Sequence, residues 1–335
     1  MVLEEKLPRV DIVVCHHVGN LVLKAIHSIL GSIGVQIRLF VVTSDVKAKF
    51  YMASTLYAQG GPAYKRNFAL RFTEADLIAF FDDDVEIDPY CIAEMAKVLQ
   101  QDGVGMVFGK TLNMEFRDQF DEAGSYLTLP TGFLYARGDR TKDIGQFEKV
   151  EPILAGKSAS CMIRRNVFAE VGFFDESYEI LGEETDLAWR VWLYGWKAMY
   201  VPKSVAYHAF NTRFKPRDFY IPRRVYFNGC RNYITMLLTN LEDFNLPMPI
   251  TCQLVIWFSA SLGMFLTGKY QAGAYILKGL WYVFAHRKEI MEKRRKVQKA
   301  RKLSDKELFP HILRTPPLSY YLKRFVRYVL TGMHG

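Results

Sequence analysis

The chain has 335 residues, half of them apolar, so it can bury a sizeable core, and its composition excludes a disordered polypeptide. Its five cysteines (Cys15, Cys91, Cys161, Cys230, Cys252) are scattered, with no CxxC pair, which excludes a disulfide framework or a zinc knuckle and suits a reducing compartment. The net charge of +9 is local, because residues 287–302 hold nine Lys or Arg against Glu289 and Glu292, which is +7 of the total; a generally basic, nucleic-acid-binding surface is therefore excluded.

The opening MVLEEKLPRVDIVV sets acids where a secretory leader needs a basic segment, so no export signal is read. Short apolar runs then alternate with helical patterns over some two hundred residues, the signature of an α/β sheet wound with helices on both faces. The predicted strands are Arg9 to Cys15, Ile37 to Thr43, Leu77 to Phe81, Val104 to Gly109, Ala159 to Ile163, Ala198 to Val201 and Val205 to His208. The predicted helices include Leu21 to Leu30, Lys65 to Phe72, Pro89 to Gln100 and Glu183 to Tyr194. From Asn113 to Lys157 the periodicity fails, and a long loop with little structure of its own is expected there; loops of that length are usually functional. The RGD at Arg137 to Asp139 inside it reads as a chance tripeptide.

After His208 the chain turns to mixed Arg and aromatic residues, including Arg213, Phe214, Arg217, Arg223 and Arg224. An uncharged stretch from Phe244 to Gly268 and a second apolar stretch from Tyr270 to Ala285 follow, and the basic run comes directly after them. Their length approaches the ~20 residues that span a bilayer. A membrane-inserted hairpin, interfacial helices and a helical subdomain packed on the preceding domain all fit that pattern. In the final segment Leu318, Tyr321, Leu322, Phe325 and Val329 fall at helical spacing with Lys323, Arg324 and Arg327 between them, as on a helix lying against an anionic membrane surface.

Three features carry chemistry. LIAFFDDDVEIDP places Asp82, Asp83 and Asp84 directly after an apolar strand, at the edge where open α/β sheets bind ligands. Crowded carboxylates repel unless a cation neutralises them, and hard oxygen donors suit Mg²⁺ or Mn²⁺ bridging a diphosphate. An acidic turn capping the next helix is the plain alternative, but Asp88 alone can do that capping. In GEETDLAWR, Glu183, Asp186 and Arg190 share a helical face while Glu184 points about 100° away. Asp186 and Arg190 also make an ordinary i,i+4 pair. His208 closes a strand with no acid beside it in sequence to orient its ring, and its position makes it a candidate metal ligand.

Taken in order, PRVDIVVCHH, GGPAYKRNFAL, FFDDDVEID, ASCMIRRNVFAEVGFFDE, GEETDLAWR and SVAYH resemble the motifs of the family-2 inverting glycosyltransferases of the GT-A fold, over roughly residues 8 to 212. The stretch TKDIGQFEKVEP further resembles the rhamnosyltransferase-like branch, whose acceptors are often lipid-linked saccharides. The resemblance implies a GT-A catalytic domain over 1–212, followed over 213–335 by a helical, basic and apolar membrane-associating region. It implies a nucleoside-diphosphate-sugar donor, Mn²⁺ or Mg²⁺ held by Asp84 and His208, and Asp82 and Asp83 near nucleotide and ribose. Arg66 and Asn67 fall near the diphosphate, and Asp186 is grouped with the donor side. The base that deprotonates the acceptor hydroxyl is Glu183 or Glu184, with Glu184 preferred. This sequence has Glu-Glu where the family has Glu-Asp, and VVTSD where it ends a strand with a base-reading Asp, so Thr43 or Asp45 is expected to substitute. Arg217, Arg223 and Arg224 are candidates for an acceptor phosphate. The implied place of action is the cytoplasmic face of the cell membrane, as a peripheral or monotopic protein. Two competing readings stand beside it. A nucleotidyltransferase uses similar metal-bound acids but needs a glycine-rich basic loop where CHHVGNLVLK stands, and a non-catalytic membrane-anchored sugar-binding protein needs no base.

Overall fold

The computed structural model describes residues 7–17, 19–209, 223–322 and 326. Its first elements are β1 (Arg9–His16), α1 (Leu21–Leu30), β2 (Gln36–Thr43), β3 (Ser54–Tyr57), α2 (Pro62–Leu70), β4 (Leu77–Asp82), β5 (Val85–Ile87), α3 (Cys91–Leu99) and β6 (Val104–Asn113). Short strands β7 (Phe120–Glu122), β8 (Ser125–Leu127), β9 (Leu134–Ala136) and β10 (Glu151–Pro152) follow, then β11 (Ser160–Arg164), α4 (Arg165–Val171), α5 (Glu183–Leu193) and β12 (Lys197–His208). The last elements are helical: α6 (Asn228–Asn240), α7 (Pro247–Leu266), α8 (Tyr270–Ala285), α9 (Arg287–Ala300) and α10 (Asp305–Ile312).

The main sheet runs β10-β12-β6-β11-β4-β1-β2-β3, with β5 also on β12 and β7 also on β6. β1 is parallel to β2 and β4, whereas β11 is antiparallel to both β4 and β6, so the sheet is mixed. Alternation along each strand divides the apolar side chains between two layers. Val13, Ile78, Phe80 and Phe108 join the layer that holds Ala69, Leu187 and Trp189, while Ile12, Val14, Ala79 and Phe81 join the layer of Ile26, Ile29, Ile92 and Met95. Because both faces are covered, the inner strands read as continuous apolar runs.

Two expectations need correction. The two strands predicted at Ala198 and Val205 are one, β12, whose register against β6 shifts between Val201 and Val205. The irregularity accommodates Pro202, which cannot donate to a regular ladder. The region 113–157 is not a bare loop either: it carries β7 to β10, and Phe120, Tyr126, Leu127 and Ile153 are fully buried in the core. Arg137 of the RGD is itself buried, donating to the Ala123 carbonyl and paired with Glu151.

The expected boundary at 212/213 is not a packing boundary. Met236, Leu237, Leu241, Val297, Leu308 and Ile312 share one apolar cluster with the sheet residues Phe80 and Phe108. Each large side chain buried there contributes about 1.5–3 kcal/mol, so the elements on the two sides of that position stabilise one another. The α7–α8 hairpin has a separate cluster built on Trp257, Met264 and Ile276.

The basic run is also less free than its composition suggests. Lys293 pairs with Asp175 and lies 3.7 Å from Asp186, and Arg294 donates to the Leu238 and Leu241 carbonyls and to Asp243. Arg301 pairs with Asp305, and Lys302 with Glu170 at 3.0 Å. Arg287, Lys288, Arg295 and Lys299 remain exposed. Arg213, Phe214, Arg217, Lys323, Arg324, Phe325, Arg327, Val329 and the side chains of Arg223 and Arg224 lie outside the described residues.

Candidate active site

The aspartate triplet turns the chain from β4 into β5, and β5 runs back antiparallel to β12 with Val85 opposite His208. That register, together with the hydrogen bond from Ala209 N–H to the Asp84 carbonyl, sets the histidine over the turn. His208 Nε2 lies 3.2 Å from Asp84 Oδ1 and 3.8 Å from Asp82 Oδ2. One donor atom from each of Asp82, Asp84 and His208 falls within 4.8 Å of the others. Two carboxylates and an imidazole form a donor set suited to a small divalent cation. Burial alone disfavours the imidazolium, but the Asp84 and Asp121 carboxylates outweigh it and lift His208 to about 9.

The three acids separate in role because successive side chains of the turn point apart. Asp83 faces the end of β1, accepting from His17 N–H at 2.7 Å and meeting His16 Nδ1 at 3.0 Å. Asp82 faces Arg66, whose guanidinium lies 3.2 Å from Asp82 Oδ1, 2.8 Å from Glu183 Oε1 and 2.9 Å from Ser158 Oγ. Arg66 is 1% exposed, so it ties the aspartate turn to the acid pair from within the core.

The acid pair opens α5. The chain enters the helix through Leu181 and Gly182, both at positive φ (71° and 90°). That conformation is costly for leucine, and Asn232 of α6 holds it by donating to the Ile180 and Leu181 carbonyls at 2.9 and 2.6 Å. Beyond the turn the two glutamates differ. Glu183 is buried against Arg66, whereas Glu184 is only partly buried and has no ion-pair partner among the described residues. Burial and the adjacent Glu183 charge push the Glu184 carboxyl well above the usual carboxylate range.

Residues 77–286 match the family model of glycosyl transferase family group 2. The chain belongs to that family. Over 132 residues it is 30% identical to the O-antigen biosynthesis protein RfbC of Myxococcus xanthus, a match that takes in 37% of this chain and 10% of that protein. Over 65 residues it is 38% identical to an N-acetylglucosaminyl-diphospho-decaprenol L-rhamnosyltransferase of Mycobacterium tuberculosis, covering 18% of this chain and 21% of the relative. The chain thus spans only a tenth to a fifth of the length of these curated relatives. Among solved structures it resembles GalNAc-T7 with UDP, GalNAc and Mn²⁺ (TM-score 0.59, 13% identity, 84% of this chain and 58% of that one). It also resembles residues 1–349 of S. aureus TarS (TM-score 0.53, 16% identity, 87% and 86%). These likenesses show the fold, which is GT-A.

The remaining predicted residues of the glycosyltransferase chain are placed as follows. Thr43, ending β2, is fully buried, and its hydroxyl accepts from Asp45 N–H at 3.1 Å; Asp45 itself is exposed on the following turn. Asn67 is on α2, but its amide clamps the loop before α5, donating to the Phe174 carbonyl at 2.8 Å and accepting from Phe174 N–H at 3.1 Å. Asp186, expected on the donor side, is 0% exposed, held by Arg190 Nε at 2.9 Å and Asn240 Nδ2 at 3.2 Å, on the face of α5 turned to α6 and α9. Burial would raise its carboxyl, but Lys293 and Arg190 keep it below the usual range.

Several residues that no sequence motif marks stand around this cluster. Asp121 of β7 lies 2.8 Å from His208 Nδ1 and also pairs with Lys157. Next to it, burial pushes the Glu122 carboxyl up to about 7, against the pull of Lys157. His16, Ser158, Arg231 and Asn232 complete the surroundings. Only the strand position of His16 carried any signal, since the others lie in segments without a periodic pattern or face the site from a distant helix.

Proposed function

We propose that this chain transfers a sugar with inversion from a nucleoside-diphosphate sugar to a hydroxyl of a lipid-linked saccharide at a membrane surface. The observation that carries the reading is the convergence of Asp82, Asp84 and His208 beside a glutamate pair in which only one member is neutralised. In this assignment Asp82, Asp84 and His208 hold Mn²⁺ or Mg²⁺, which supplies Lewis-acid charge to the departing diphosphate. Asp83, with Thr43 and Asp45 on the neighbouring strand edge, serves the nucleotide side. Glu184 takes the proton of the acceptor hydroxyl as that oxygen bonds to the anomeric carbon and the bond to the diphosphate oxygen breaks. Glu183, already bound to Arg66, fixes the geometry of the pair. Membership of the family argues against the nucleotidyltransferase reading, and a partly exposed Glu184 with no ion-pair partner among the described residues argues against a non-catalytic scaffold.

The test is calorimetric titration of the full chain with Mn²⁺, with and without UDP- or GDP-sugars, in buffers of differing ionisation enthalpy. A ligating imidazole must be neutral, so binding is expected to release about one proton and to strengthen up to tenfold per pH unit between pH 6.5 and 8.5. In the metal-free protein the sign is opposite. The raised pKa of His208 contributes stability that is fully present below about 6.5 and is lost as pH rises through about 9. The metal-free melting temperature should therefore decline over the interval in which affinity rises. Binding without proton release, or no Mn²⁺ binding at all, overturns the cation assignment.

The membrane part of the proposal is supported by the helical hairpin. The helical stretch Asp243–Leu266 is long and apolar enough to cross a membrane, and about two thirds of its most apolar window is unburied. Val255, Phe258, Leu262 and Leu266 of α7 and Trp281 and Phe284 of α8 are exposed, and Arg287, Lys288 and Arg295 stand just beyond. Apolar ridges beside basic residues are what anionic headgroups favour. The decaprenol in the name of the mycobacterial relative supports a lipid-linked acceptor. Co-sedimentation with vesicles containing anionic phospholipid should be lost in a Phe258→Asp, Leu262→Asp double variant; equal sedimentation of the variant would discard this surface.

A further inference from the structure

β12 and β7 both pair with the end of β6 and meet there. β12 pairs His208 with Asn113, while β7 pairs Glu122 with Thr111 and Phe120 with Leu112. Asp121, between those two β7 residues, thereby reaches His208 across 87 residues of sequence, with Oδ2 at 2.8 Å from Nδ1. Both side chains are nearly inaccessible, at 6% and 3% exposure. The other Asp121 oxygen is taken by Lys157, so the carboxylate is held from two sides and has little freedom to turn away. Lys157 is followed directly by Ser158, whose hydroxyl accepts from Arg66. A carboxylate facing Nδ1 can only accept a hydrogen bond, so it assigns the proton to that nitrogen and turns Nε2 toward Asp82 and Asp84.

We propose that Asp121 is a positioning residue for the cation site: it fixes the tautomer and ring plane of His208 so that Nε2 is presented together with the carboxylates of Asp82 and Asp84. The inference rests on the cation assignment made above. Carboxylates behind ligating histidines are worth about 10- to 100-fold in metal affinity in such sites. A role in packing alone predicts something different, namely a lower melting temperature with unchanged metal affinity.

The experiment titrates the full chain with Mn²⁺ and follows loss of the free-ion electron paramagnetic resonance signal, for the parent protein, Asp84→Asn, Asp121→Ala and Asp121→Asn, each with its metal-free melting temperature. Asp121→Ala is expected to weaken Mn²⁺ about 10- to 100-fold. Asp121→Asn is expected to weaken it less, because the amide oxygen still accepts from Nδ1–H. With Co²⁺ in place of Mn²⁺, the visible absorption bands of Asp121→Ala should differ from the parent's. If both Asp121 variants bind Mn²⁺ within twofold of the parent while Asp84→Asn does not, Asp121 has no positioning role and the cation site stands. If the parent fails to bind, or Asp84→Asn binds as the parent does, the cation assignment falls and takes the inference with it. Should the alanine variant not fold, the asparagine variant decides.

Discussion

Asp84→Asn is expected to lower sugar transfer by about three orders of magnitude while the chain stays folded. Asp84 is 6% exposed and stands 3.2 Å from His208 Nε2, so it is the most sequestered carboxylate of the proposed donor set. Losing it removes both a ligand and a negative charge from the point where the diphosphate charge must be met. A cation's contribution to a transition state of this type is several kcal/mol, and about 4 kcal/mol corresponds to a thousandfold in rate. Steady-state transfer with Mn²⁺ and a competent donor, alongside a thermal melt, measures both halves of the prediction. Near-normal turnover in the variant would sink the assignment. Without metal, the same change removes a partner of the His208 imidazolium, so the metal-free melting temperature should fall at pH 7 and less so at pH 9.

The second large effect separates the two glutamates. Glu184→Gln should reduce kcat by about 10²- to 10⁴-fold, the range for losing a general base, with donor KM and Mn²⁺ affinity little changed. Glu183→Gln should act mainly on the fold. Arg66 is 1% exposed and relies on Glu183 and Asp82 for its charge, so neutralising one partner leaves buried charge poorly compensated and costs about 3 kcal/mol or more. Denaturant melts and kcat for both variants give a crossed pattern: a slow but stable Glu184→Gln and a destabilised Glu183→Gln. The reverse pattern would move the base to Glu183.

The order of the chemistry along the chain was legible from residues alone. An apolar run ending in three aspartates, an acid pair opening an amphipathic helix and a strand closing on histidine marked β4, α5 and β12, and the structure brings Asp82, Asp84 and His208 together. The partition of the triplet was not legible, because it depends on β5 pairing with β12, and three residues are too few to announce a strand. Asp121 was invisible for a related reason: β7 is held by its pairing to β6 and carries no pattern of its own. For the glutamates, the helical period already placed Glu184 off the face shared by Glu183 and Asp186, but the decisive neighbour, Arg66, lies 117 residues from Glu183. Asp186 shows the opposite case. Its i,i+4 spacing to Arg190 was the plain reading of the sequence, and that is what the structure contains; its placement with the donor came from resemblance. The basic run carries less free charge than its composition suggests because the acids that hold Lys293 and Lys302 lie more than a hundred positions upstream.

The Lys293 contact reaches further than its role in packing. Lys293 of α9 pairs with Asp175 before the acid-pair helix and lies 3.7 Å from Asp186 within it. In a chimera between members of this family, α5 and α9 therefore form one unit of exchange. Grafting a new carboxyl-terminal half that lacks a counterpart to Lys293 would leave Arg190 to balance the buried Asp186 carboxylate without its second cation, two residues from the proposed base.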